Sequence, residues 1–185
     1  PSYRLDAEVL RDIGLWASGL LSPHMGGEGV KPYQPDGMWK ALAHPGSNTK
    51  QYVRDNGELL YRRSLYVYWR RTSPHPMMTL FDAPDRESSC VQRQRTNTAL
   101  QSLGLLNETQ RVEMGRVLAE RLLTQADSDE ARIDLLFRLL TSRDASEQEK
   151  NAVLGLVDAM KQRFVDASDD ANSLLDVGEA EQNES

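Results

Sequence analysis

Residues 81–98, FDAPDRESSCVQRQRTNT, gather three acids, three arginines and the only cysteine of the chain into one short stretch. Asp82, Asp85 and Glu87 are the residue types that supply an acid and a base for glycoside or ester hydrolysis. That chemistry requires one carboxyl to be desolvated so that it keeps its proton. Arg86, Arg93 and Arg95 offer planar donor forks for a carboxylate, sulfate or phosphate, with Asn97 beside them. The structural alternative is that the arginines pair with the acids while Asn97 and the threonines bond backbone groups. A long loop without a regular ladder would then be fixed by its own side chains. This alternative is preferred, and ligand contact stays open because function concentrates on loops. Cys90 belongs to no recognised nucleophile motif. Nearby arginines could lower its pKa, but a base would have to come from elsewhere, so a buried thiol or one paired outside the chain is expected.

Other chemistries find weaker support. His24, His44 and His75 stand far apart on Pro- and Gly-rich loops, without the i, i+3 or i+4 spacing of helical ligand pairs, so no metal site is expected. SPHPMM sets His75 near Met77 and Met78, both possible haem ligands, but methionines beside proline turns commonly fill gaps in a core. The Cys-x-x-Cys-His needed for covalent haem attachment is absent, and no cofactor is expected. MGGEGVKP lacks the spacing of a phosphate loop, and its glycines read as turn residues adopting positive φ. YRRSLYVYWRR interleaves aromatics with arginines, and on a helix Arg62, Arg63, Arg70 and Arg71 would form a basic stripe. The preferred reading is an amphipathic helix with core aromatics and arginines that meet neighbouring acids.

The totals narrow the class. At 185 residues, 39% hydrophobic and 27% charged, the chain suits one soluble domain, with its apolar runs too short to cross a bilayer. Pro1 cannot be a natural initiator, so the chain reads as an excised or processed piece and its missing signal sequence says nothing of compartment. One cysteine excludes an internal disulfide framework. The net charge of −6 divides unevenly: 16 Lys and Arg against 13 Asp and Glu through residue 125 (+3), and 6 against 15 beyond it (−9). An acidic C-terminal third argues against a nucleic-acid binder.

The elements that must position these residues read as helices. Ser2 is placed to cap a first helix whose stripe is Leu5, Val9, Ile13, Trp16 and Leu20, with Arg11 and Asp12 mostly away from it. A Pro- and Gly-rich loop follows, then a short turn at 38–42. In residues 57–71 helix is favoured over strand. Thr98 and Gln101 form a capping box before Leu100, Leu103 and Leu106. Asn107 with Gln110 would cap a helix buried along Met114, Leu118 and Leu122. Ser128 would cap one with Ile133, Leu136, Phe137 and Leu140 inward. Ser146 with Glu149 would cap one with Val153, Leu156, Val157, Met160 and Phe164 inward. A last short helix stops at Gly178. The expectation is a mainly α fold, an irregular helical bundle with long ordered Pro- and Gly-rich loops. Residues 1–178 would form a single domain and 179–185 a frayed acidic tail.

The segment LYRRSLYVYWRRTSPHPMMTLFDAPDRESSCVQRQRTNTALQSLGLLN, with YRLDAEVLRDIGLWASGLLSPHMGGEGVKPYQP before it, resembles a C-terminal domain of unknown function. That domain occurs in large planctomycete proteins which also carry cytochrome-c-like modules. The matching positions are Arg62, Arg63, Ser64, Leu65, Tyr66 and Trp69, then Phe81, Asp82, Asp85, Arg86 and Glu87, then Cys90, Arg93, Arg95, Thr96, Asn97, Thr98 and Gln101. Ala99 departs from the expected proline, and alanine serves the first helical turn equally well. The resemblance implies a larger family domain, export to the periplasm or cell envelope, cytochrome-c-like modules on the same polypeptide as partners, and a link to polysaccharide use. It supplies no catalytic residues. An accessory binding or docking domain is therefore expected, with a carbohydrate-active hydrolase using Asp82, Asp85 or Glu87, or a docking surface for a cytochrome-c-like module, as alternatives.

Overall fold

The computed structural model describes residues 3–44, 46–47 and 50–182; Ser2, expected to cap the first helix, lies outside them. The chain is mainly helical, as the periodicity predicts. It divides into two compact units, residues 1–15 with 21–108 and residues 16–20 with 109–185.

The first unit begins with most of helix α1 (Ala7–Ser18). The stripe this helix buries is not the apolar one. Ala7, Arg11 and Leu15 are buried, while Leu5, Val9 and Trp16 remain exposed. The cause lies about fifty residues away. Arg11 donates to the carbonyls of Leu60 (2.7 Å) and Arg62 (2.8 Å) and to Ser64 Oγ (3.2 Å), and Asp12 accepts from the Ser64 amide at 2.8 Å. Buried backbone without a ladder needs such partners, and a guanidinium can serve several at once. Ala7 packs with Val67, Met78 and Phe81 into a small core flanked by Leu10, Trp69, Met77 and Leu80. Met77 and Met78 are thus core fillers.

Residues 57–71 are neither one helix nor one strand, which corrects the helical expectation. They form two 3₁₀ turns, Gly57–Tyr61 and Ser64–Tyr66, separated by extended backbone at Arg62 and Arg63. Their polar groups are spent on distant chain. Ser22 N–H donates to Tyr61 O (3.0 Å), Val30 N–H to Tyr66 O (2.7 Å), and Tyr68 N–H to Val30 O (2.8 Å). The supposed arginine stripe dissolves accordingly. Arg62 is buried beneath the glycine turn, donating to the carbonyls of Glu28 (2.9 Å) and Gly26 with its guanidinium over the Tyr66 ring, whereas Arg63 is exposed beside Met25. Gly26 and Gly27 hold φ of 83° and 82°, so these glycines do serve a turn.

Helices α2 (Met38–Leu42), α3 (Pro76–Leu80) and α4 (Ala99–Asn107) complete this unit. The Thr98–Gln101 capping box is present. The face that α4 buries is carried by Gln101, which donates to Leu80 O at 2.9 Å and Thr96 Oγ1 at 3.0 Å, while Leu100, Leu103 and Leu106 are exposed. Asn107 does not cap the next helix. It ends α4, with its amide donating to Leu103 O at 3.2 Å.

The second unit is α5 (Thr109–Gln125), α6 (Asp129–Thr141), α7 (Glu147–Val165) and α8 (Ser168–Leu175), each packed on the next, with α8 returning to α5. Met114 and Ile133 are buried as expected. Leu140, Leu156 and Met160 are not: they stay exposed because only a narrow edge of each helix meets its neighbours, and α7 buries no residue fully. Arg121 donates to Ala17 O at 2.7 Å, tying residues 16–20 to α5. Glu113 on α5 is wholly buried and accepts from the amides of Glu179 (2.6 Å) and Ala180 (2.8 Å), while Arg116 donates to Ala180 O (2.6 Å).

Ser128 caps α6 and the Ser146–Glu149 box caps α7. The Arg143 fork grips Glu149 at 2.6 and 2.8 Å and, with the Ser146 groups, holds its carboxyl down at about 2. A depressed folded pKa means that this cap contributes fully above the ordinary carboxyl range and is lost as pH falls toward 2. The Glu149 carboxyl resonance is therefore expected to titrate near pH 2, and Arg143→Gln is expected to raise that midpoint toward the ordinary value. An unmoved midpoint would show that the arginine does not govern it.

Candidate functional site

The 81–98 segment is held almost entirely by side chains, and its partners come from residues 3–8 more than from itself. Asp82 takes a φ of 59°, a left-handed conformation that non-glycine residues adopt at a cost. The compensation is visible. Its carboxylate accepts from Arg4 Nη2, from Thr96 N–H at 2.8 Å and from the Thr96 hydroxyl at 2.9 Å. Arg4 also donates to Thr96 O (3.0 Å) and Phe81 O (3.2 Å), so one guanidinium and one carboxylate staple both ends of the loop.

Asp85 works within the loop. Its Oδ1 accepts from the amides of Glu87 (2.9 Å) and Ser88 (3.4 Å), and its carbonyl accepts from Trp69 Nε1 (3.1 Å). Arg86, at a φ of 62°, lies over the Trp69 ring at 4.6 Å. Glu87 is exposed. Arg93 makes a two-pronged contact with Glu8 at 2.7 and 3.1 Å, and stands 3.5 Å from Asp6. Arg95 touches Asp6 at 3.5 Å and covers the Tyr3 ring at 5.7 Å. Among the described residues Asp82, Arg93 and Arg95 stand in ion pairs, but with Arg4, Glu8 and Asp6, which corrects the expectation that the loop's arginines pair with its own acids Asp82, Asp85 and Glu87. Cys90 is exposed, contrary to the expectation of a buried thiol.

Electrostatics follow from these contacts. Hydrogen bonding from Thr96, first from its amide, lowers the pKa of Asp82, and the amides of Glu87 and Ser88 lower that of Asp85. For Glu8, burial pushes upward, but the Arg93 hydrogen bonds and charge together with its own backbone carry the group below its usual range. A hydrolytic general acid needs the opposite displacement.

Two concavities border the loop. One is an open bowl of about 790 Å³ lined by Tyr3, Asp6 and residues 92–96. The other, about 420 Å³, is bounded by Arg4, Leu10, Phe81, Asn97, Gln101 and Leu105. Asn97 therefore belongs to the second hollow. Arg62 and Arg63 line neither. His75 is buried, its ring Nε2 at 2.8 Å from the carbonyl of Tyr33, which can only accept and so places a proton on that nitrogen. Among the described residues no group of three or more His, Cys, Asp or Glu could hold a metal ion, and no helix is long and apolar enough to cross a membrane.

Residues 1–157 match the family described as PSD1, a protein of unknown function (DUF1553). The chain belongs to this family. No curated protein and no solved structure matches it. The stretch that matches PSD1 contains the whole bowl and the Arg4–Asp82 staple, and ends within α7. In this PSD1 chain the residues that sequence reasoning missed are Tyr3, Arg4, Asp6, Glu8, Gln92 and Gln94. A usable signal existed: the charge order of YRLDAE answers that of the loop, with Arg4 for Asp82, and Asp6 and Glu8 for Arg95 and Arg93.

Proposed function

We propose that this PSD1 domain is an accessory binding module of an exported multidomain protein, and that it holds a carbohydrate in the bowl beside Tyr3. The observation that carries the reading is a division of labour around the loop. Asp82 and Asp85 are committed to fixing backbone and Arg93 to Glu8, whereas the Tyr3 ring, 72% exposed, and the exposed Gln92 and Gln94 line the open bowl. An exposed aromatic face with uncommitted amide donors and acceptors on rigid backbone suits a ring of hydroxyl groups. Asp82 and Asp85 hold carboxylates rather than protons, which favours binding over hydrolysis. The resemblance to the C-terminal domain of planctomycete proteins supports an envelope setting with cytochrome-c-like modules on the same polypeptide.

Calorimetric titration with a panel of oligosaccharides tests the reading. Binding in the millimolar range or tighter is expected, weakened about tenfold by Tyr3→Ala, in line with about 1–2 kcal/mol for one aromatic contact. No heat with any oligosaccharide, or Tyr3→Ala binding as the wild type does, would sink it.

A further inference from the structure

Resting on that reading, we infer that the bowl selects an acidic sugar, its ring against Tyr3 and its carboxylate or sulfate ester on the free edge of Arg95. The two bowl arginines are unequally spent. Both prongs of Arg93 are closed on Glu8 at 2.7 and 3.1 Å. Besides its place over the Tyr3 ring, Arg95 makes one hydrogen bond among the described residues, Nη2 to Asp6 Oδ1 at 3.5 Å, the long limit for such a bond. A guanidinium carries five N–H groups along two fork edges, and each Nη nitrogen points one hydrogen to either side. Whichever Nη2 hydrogen faces Asp6, one complete two-donor edge of Arg95 remains, matching the bidentate geometry of an oxyanion.

Access agrees with this. The Arg95 side chain is 45% exposed with its guanidinium 5.7 Å from the centre of the Tyr3 ring, which is itself 72% exposed. Asp6 and Glu8 balance the charges of Arg93 and Arg95, so an acidic group is drawn by the unfilled donor edge of Arg95 and not by surplus charge. Gln92 and Gln94 supply neutral donors and acceptors for the remaining hydroxyls.

The test uses the full chain and three oligomers of matched length: a neutral galacto-oligosaccharide, an oligogalacturonate and a sulfated galacto-oligosaccharide. At least one acidic oligomer is expected to bind tenfold or more tightly than the neutral one, and the tighter of the two identifies the group as carboxylate or sulfate. Arg95→Gln is expected to abolish the preference, Arg95→Lys to keep part of it, and Tyr3→Ala to weaken all three. Equal affinity for neutral and acidic oligomers, or a preference that survives Arg95→Gln, overturns the acidic selectivity while leaving a carbohydrate site standing. Silence with all three overturns both. Inorganic sulfate binding as tightly as the sulfated oligomer overturns the role of the sugar ring.

Discussion

Replacing Arg11 with leucine is expected to lower the stability of the first unit by about 3–5 kcal/mol, the range for removing one partner of a buried charge network. The side chain is nearly inaccessible, at 4% exposure, and satisfies two backbone carbonyls and one hydroxyl. Leucine fills part of the volume and restores none of those bonds, and each buried carbonyl left without a donor costs about 1–3 kcal/mol. Urea unfolding followed by the fluorescence of Trp39, buried in the same unit, reads the loss. Asp12→Asn supplies the contrast, because an amide oxygen can still accept from the Ser64 N–H. A loss below about 1 kcal/mol for Arg11→Leu would mean that the 3₁₀ segment finds other donors, and this account of α1 would fail.

Gly178→Ala is expected to be the most damaging conservative change in the second unit, at about 3–5 kcal/mol. Gly178 has a φ of 98°, strained for any residue bearing a Cβ. A Cβ there would also overlap the buried Glu113 carboxyl, displacing it from the amides of Glu179 and Ala180. Two charge-assisted hydrogen bonds and a backbone conformation are lost together. Gly155→Ala in α7 is the matched control, since its Cβ meets open space, and it is expected to stabilise by up to about 1 kcal/mol. Thermal unfolding by circular dichroism, with amide exchange at Glu179 and Ala180, distinguishes the two. Similar melting temperatures for both alanine variants would refute the Glu113 clasp.

What was legible in the sequence was local. Thr98 with Gln101, Ser128, and Ser146 with Glu149 cap as expected because such a cap is settled within four residues. Periodicity failed where distant chain set the terms. The apolar stripe of α1 lost to Arg11 because the carbonyls that require a donor sit on residues 60 and 62. The aromatic run after Leu60 looked helical because its alternating burial answers to Ser22 and Val30, which no window of fifteen residues contains. The charge density of the loop at 81–98 was visible in the sequence, and Asp82 and Arg93 are both engaged in ion pairs. Its charges balance internally, three against three, so read by itself the segment asks for no outside partner; only its charge order set beside YRLDAE points to Arg4, Asp6 and Glu8. Glu113 gave no signal either, since a glutamate beside Met114 on a long helix reads as surface.

The Arg4–Thr96 bond spans 92 residues. During synthesis the N-terminal staple therefore emerges early and waits for nearly all of this unit before its partners leave the ribosome. Closing so wide a ring is slow, because the entropy of bringing its ends together is spent before the contacts repay it. Until then the charges of Arg4, Asp6 and Glu8 lack their loop partners and are open to passing chaperones or neighbouring chains, so assembly of this region belongs to the end of its translation rather than the beginning.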